Sequence, residues 1–177
     1  MKHVFKALVV STFLLLSGCI EIDDVSAMWK KGERDPALEG MWSYHNEQDT
    51  NQEVYFVKFT PEKDYYLVET FDKAKKKFTE ADAVFYIKTV HTGKNAYMLT
   101  GFPQEPDKVN GMIWPYRIQG THLVTTQLKT CASCTTFNDT TTPPRLKVLS
   151  DEILGEFDAV LAASPEWTPW MEGDKLP

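Results

Sequence analysis

The chain has 177 residues, with 19 basic and 25 acidic side chains and a formal net charge of −6. That length suits one domain built around one core. The acidic balance repels phosphate backbones, so nucleic acid is excluded as a partner, and it opposes broad contact with anionic head groups.

The chain opens "MKHVFKALVVSTFLLLSGC". Lys2 and Lys6 form a positive start, Ala7 to Leu16 an apolar run, and Ser17 and Gly18 a small-residue exit before Cys19. This order is that of a secretory signal peptide, and the run is short of the ~20 residues that span a bilayer. The ending "LLSGC" resembles the lipobox of bacterial lipoproteins. The resemblance implies removal of residues 1–18, diacylglycerol on the Cys19 sulfur and a fatty acid such as palmitate on its new amino group. Two or three acyl chains give lasting attachment. Ile20 rather than Asp follows the cysteine, which favours an outer-membrane, periplasm-facing destination. Removing the leader with its two lysines leaves 17 basic and 25 acidic residues, a net charge of −8.

Residues 19–38 read as a lipidated N-terminus and tether, and 39–177 as a single domain. The stretch "IEIDDVSAMWKKGERDPAL" is charged, and Pro36 interrupts any helix. Met28 and Trp29 either dock on the domain, the expected outcome, or belong to a partner-facing segment. From Gly40 the chain is aromatic and β-branched. Strands are predicted at Met41–His45, Glu53–Thr60, Tyr65–Phe71, Ala83–His91, Ala96–Phe102, Met112–Ile118, His122–Leu128 and Arg145–Val148. The stretches "TPEKD", "HTGKN" and "QGTH" between them suit hairpin turns. Met112, Trp114, Tyr116 and Ile118 alternate with Ile113, Pro115, Arg117 and Gln119, giving one buried and one largely wet face. Pro115 cannot donate to a ladder and points to an edge or a bulge. "VYFVKF" is apolar on both faces and calls for cover by the helix or the tether.

"SDEILGEFDAVLAAS" predicts the one helix, over 150–164. Ser150 can cap it, Asp151 and Glu152 suit its positive end, and Ile153, Leu154, Phe157, Val160 and Leu161 form one stripe. Successive hairpins and one late helix predict a mainly β fold. They suggest an antiparallel meander closing into a small barrel of about eight strands, because closure removes unpaired edges. "GMW" at Gly40–Trp42 resembles the Gly-x-Trp that begins lipocalin barrels. That resemblance implies a ligand cavity, with Trp42, Trp114, Tyr116 and Tyr97 as candidate lining residues. The opposing reading is an ordinary aromatic core.

Cys131 and Cys134 are spaced C-x-x-C in a Thr-rich loop. There is no βαβ pattern or following helix for thioredoxin chemistry, and Thr135 stands where haem attachment needs His. Zinc would need further ligands, for which His122 is nearest along the chain. In an oxidising periplasm the pair is expected to form a small disulfide. Redox sensing, metal binding and a reduced, idle pair remain the alternatives.

The run "KAKKK" at 73–77 reads as a solvated hairpin tip rather than an anion contact. Trp167 and Trp170 in "SPEWTPW" either fold back or offer a partner-binding patch. No G-x-S-x-G, H-E-x-x-H or Gly-rich phosphate loop is present, so no catalytic residue, metal or cofactor is assigned. The expected role is a lipid-anchored binding or accessory protein without catalytic activity, with an envelope protein as partner. The alternatives are a carrier of a small apolar ligand and a thiol or metal sensor.

Overall fold

A computed structural model describes residues 20–46, 54–73, 75–80, 86–105, 108–126, 128, 145–163, 167 and 169–177. The chain runs β1 (Ile20–Asp24), α1 (Ser26–Lys31), β2 (Gly40–Asn46), β3 (Tyr55–Pro61), β4 (Tyr66–Asp72), β5 (Lys77–Glu80), β6 (Tyr86–His91), β7 (Ala96–Glu105), β8 (Lys108–Gln119), β9 (His122–Thr126), β10 (Arg145–Val148), α2 (Asp151–Ala163) and β11 (Pro169–Lys175). Eight strands close on themselves in the order β8-β7-β6-β4-β3-β2-β11-β9, with β9 returning to β8. Every neighbouring pair in that ring is antiparallel.

Local chemistry makes the hairpins. Gln119 pairs with His122 across a two-residue turn, and Gly120 takes φ +63° there. The primed turns that match strand twist require such a left-handed residue. In the β6–β7 turn, the Thr92 hydroxyl accepts from the Lys94 and Asn95 amides. Of the "KAKKK" run, the described residues Lys73 and Lys75–Lys77 lie at a hairpin tip, with Phe71 paired to Phe78 across β4 and β5. The predicted helix forms over Asp151–Ala163 with Ile153, Leu154, Phe157 and Leu161 of its stripe buried and Val160 half-buried, and the Ser150 hydroxyl accepts from the Ile153 amide.

Three expectations need correction. Residues 20–38 are not a free tether. Ile20 to Asp24 pair with β8 on one side and, in parallel, with β10 on the other. Ile20, Ile22, Val25, Met28 and Leu38 are buried. The expected docking of Met28 and Trp29 holds, since both pack into the larger apolar cluster. The barrel has eight strands as predicted, but Arg145–Val148 is not one of them. The C-terminal tail supplies the eighth, inserting β11 between β2 and β9. Finally, the outer face of β3 is not covered by α2 or by the N-terminal segment. Phe56 packs there against Phe71, which packs against Phe78.

Long β8 explains Pro115. Its first half pairs with β1 as far as Ile113, and its last part pairs with β9 from Tyr116. Pro115 falls at the fork between them, where a missing N–H does least harm to a ladder.

The one sheet carries two cores, one on each face. Inside the barrel, Leu38, Trp42, Phe59, Tyr66, Val68, Ile87, Met98, Trp114, Tyr116 and Leu123 form one cluster. Outside, α2 and β1 cover Val90, Tyr97, Leu99 and Ile113 with Ile153, Leu154, Phe157 and Leu161. The second face of β8 is therefore only half wet. Ile113 and Pro115 are buried, while Arg117 and Gln119 are exposed.

Candidate functional site

The barrel interior is the place the sequence nominates, and its lower end holds the turns at 62–65, 92–95 and 120–121. The segment 33–39 crosses this end. Glu33 pairs with Thr89 of β6 through reciprocal backbone hydrogen bonds of 3.0 and 2.7 Å. Asp35 then meets two strands. The Tyr66 hydroxyl donates to its backbone carbonyl at 2.9 Å, and the Tyr116 hydroxyl to its carboxylate at 2.6 Å. Burial, then the Asp35 carboxylate, push the Tyr116 phenol well above its ordinary value. On the far side, Trp42 Nε1 donates to the Leu38 carbonyl at 2.7 Å, and Lys175 Nζ to the Ala37 carbonyl at 3.2 Å. The segment thus spans from β6 to β2 and β11, plugging the mouth.

Directly above the plug, three described rings of the interior are closely packed. Trp42 is 0% exposed, Tyr66 1% and Tyr116 2%. A void the size of a ligand beside these rings would leave them accessible area. The upper half is looser. Tyr44 and Tyr55 stack with centroids 5.5 Å apart, and Val57, Met112 and Met171 are only half-buried. Burial raises the Tyr44 phenol above its usual value. Below the plug a shallow cleft of about 350 Å³ opens between residues 32–39 and the β3–β4 turn. Its wall mixes Glu33, Arg34, Glu39, Lys63 and Asp64, with no single sign of charge.

Of the four candidate lining residues, Trp42, Trp114 and Tyr116 share the interior. Tyr97 does not. It points to the outer face, packs on Phe157 and donates to Asp158 at 2.7 Å. Its phenol is pushed far up, by burial first and then by that carboxylate. Trp167 folds back onto the outer cluster, with the exposed Arg117 guanidinium 3.8 Å above its ring centroid. The Trp167 Nε1–H is buried and has no acceptor among the described residues. Trp170 is the extra residue where the β9–β11 register shifts between Pro169 and Met171; its side chain lies outside the described set. So do the leader, Cys19, Cys131 and Cys134.

His122 sits on the barrel wall, where its Nδ1 lies 3.1 Å from Asp174 and its Nε2 3.8 Å from Glu172. His45 meets Glu172 at 3.3 Å from the other side. These pairs link the closing strand β11 to β9 and β2. Among the described residues, no group of three or more His, Cys, Asp or Glu is placed to hold a metal ion. No described helix is long and apolar enough to cross a membrane.

Several positions that organise the molecule escaped the sequence reading. Asp158 is 8% exposed and accepts from Thr92, Asn95 and Tyr97, all at the same oxygen. A lone acid four residues after Leu154, inside the apolar stripe, was the available signal. Lys88 is buried on the outer face. Its Nζ pairs with Asp64 at 2.5 Å and stands 5.3 Å from the centroid of the Trp29 ring. Asp35 had only the Asp-Pro turn signature to mark it.

No protein-family model, no curated protein and no solved structure matches this chain. Its class is therefore defined by its own geometry: a closed eight-stranded β-barrel, plugged at one end and backed by a helix.

Proposed function

We propose that this chain is a lipid-anchored, periplasm-facing protein of a bacterial envelope that acts by binding another envelope component and not by catalysis. The observation that carries the binding reading is the packed lower interior: Trp42, Tyr66 and Tyr116 occupy space a carrier would keep for cargo, and Asp35 bridges two strands across the mouth. Recognition then falls to the outer surface and loops. The lipid anchor rests on "LSGC" ending at Cys19. The test is in-cell crosslinking of the full-length protein, followed by identification of crosslinked peptides. A reproducible protein partner supports the reading. A small molecule retained in native mass spectra, with no partner, replaces it with the carrier reading.

One observation keeps the lipocalin-like carrier as a second reading: the looser upper interior around Tyr44, Tyr55, Val57, Met112 and Met171. Under that reading the cargo is small, apolar and shallowly held. The thiol or metal sensor reading rests on the spacing of Cys131 and Cys134 alone. The same mass spectra test it, through a loss of two hydrogens or an added metal.

A further inference from the structure

We propose that the barrel wall at the fork between β1 and β9 lies directly on the bilayer holding the Cys19 lipid, with Arg117 and Trp167 in the headgroup layer. This rests on the anchor just proposed and adds where the domain sits. A flexible tether of some twenty residues would let a domain range over ~25 Å. Here no such tether remains. Ile20, the residue after Cys19, is 0% exposed and in register with Ile113. One residue reaches at most ~3.6 Å, so acyl chains in the hydrocarbon draw this wall down to the surface.

The local chemistry suits that contact. Arg117 lies four residues beyond Ile113 on the same face of β8, a span of about 13 Å. It is exposed, and no carboxylate pairs with it among the described residues. The net charge of the mature chain opposes broad contact with anionic lipid, so any contact must be local. Guanidinium groups bind phosphate oxygens in fork geometry, and indole rings favour headgroup depth. On β1, Glu21 and Asp23 alternate to the face opposite Ile20 and Ile22, and Asp23 is paired with Arg145 at 2.6 Å.

The experiment uses the full-length protein, processed in a bacterium, purified and reconstituted into phosphatidylethanolamine–phosphatidylglycerol vesicles. Some of the lipids carry bromine near the top of their acyl chains, and tryptophan quenching is read. Intact mass first reports whether Cys19 is acylated, and melting curves confirm that each variant is folded. The wild type is expected to be quenched. Trp167→Phe should remove most of that quenching, and Arg117→Glu should lower it by about twofold or more while leaving the fluorophore in place. A flexible Gly/Ser insertion between Cys19 and Ile20 should lower it as well. With Cys19 acylated, absent quenching, or quenching that survives both substitutions, overturns the contact and leaves the anchor standing. An unmodified Cys19 overturns the anchor and the contact with it.

Discussion

Replacing Asp158 with alanine tests how the helix is held to the barrel. Asp158 Oδ1 accepts from Asn95 Nδ2 and the Tyr97 hydroxyl at 2.7 Å each, and from the Thr92 hydroxyl at 3.1 Å. Thr92 and Asn95 are partly exposed and regain water when the carboxylate goes. Tyr97 is 0% exposed and cannot. An orphaned buried hydroxyl costs about 1–3 kcal/mol, and each hydrogen bond surrendered to water a further ~0.5 kcal/mol. The expected loss is therefore about 3 kcal/mol, read by urea denaturation followed by circular dichroism. Tyr97→Phe removes the orphan, so Asp158→Ala should cost about 1–2 kcal/mol less in that background. Asp151→Ala, on the same helix, loses the exposed Lys31 pair and one charge at the helix's positive end and should stay within ~1 kcal/mol. Equal losses at 158 and 151, or no coupling to Tyr97, would refute the reasoning.

The same site gives a pH dependence. Burial pushes the Asp158 carboxyl up, but hydrogen bonds from Asn95, Tyr97 and Thr92 and the charge of Lys94 outweigh it and leave it below its ordinary value. A depressed carboxyl contributes stability above its unfolded value, about 3.9, and loses it as pH falls toward the folded value. The gap between wild type and Asp158→Ala should thus be full at pH 7 and shrink below about pH 4.

Further outcomes follow from single contacts. A methyl group added at Gly111 would lie 2.0 Å from the Thr100 carbonyl oxygen, and at Gly101 2.6 Å from the Trp29 ring. Gly111→Ala should therefore cost more than about 3 kcal/mol or prevent folding, whereas Gly101→Ala should cost about 1–3 kcal/mol and shift Trp29 emission as the ring moves away. Lys88→Met should lie within about 1 kcal/mol of wild type in chemical denaturation, because the stem already packs. Asp64→Ala should cost more than Lys88→Met, since it leaves the cation without its partner; the reverse order would count against the pairing. Tyr116→Phe removes the donor to Asp35 and should cost about 1–2 kcal/mol, with faster protease cleavage within 33–39. Unchanged cleavage would mean that the plug is held by Tyr66 and Trp42 instead.

The sequence by itself determined the elements whose surroundings are simple. Met112, Trp114, Tyr116 and Ile118 alternate because one face of β8 meets a core, and the helix stripe at 153–161 repeats because one side meets a sheet. Turn chemistry at Thr92–Asn95 and Gly120 is local and equally plain. Only the tertiary structure decided the rest. "IEIDD" and "PWMEGDK" are short and charged, so their strand character comes from β8, β10, β2 and β9 rather than from their own pattern. Tyr97 and Met98 are both buried, and alternation could not say which faced the interior while the outer face was also covered by α2. How the lower end of the barrel would close depended on Asp35 and Leu38 swinging beneath it, through contacts with residues up to 81 positions away. Periodicity reports a contrast between a dry and a wet face. It is silent where both faces are dry, and where a strand exists only because its neighbours do.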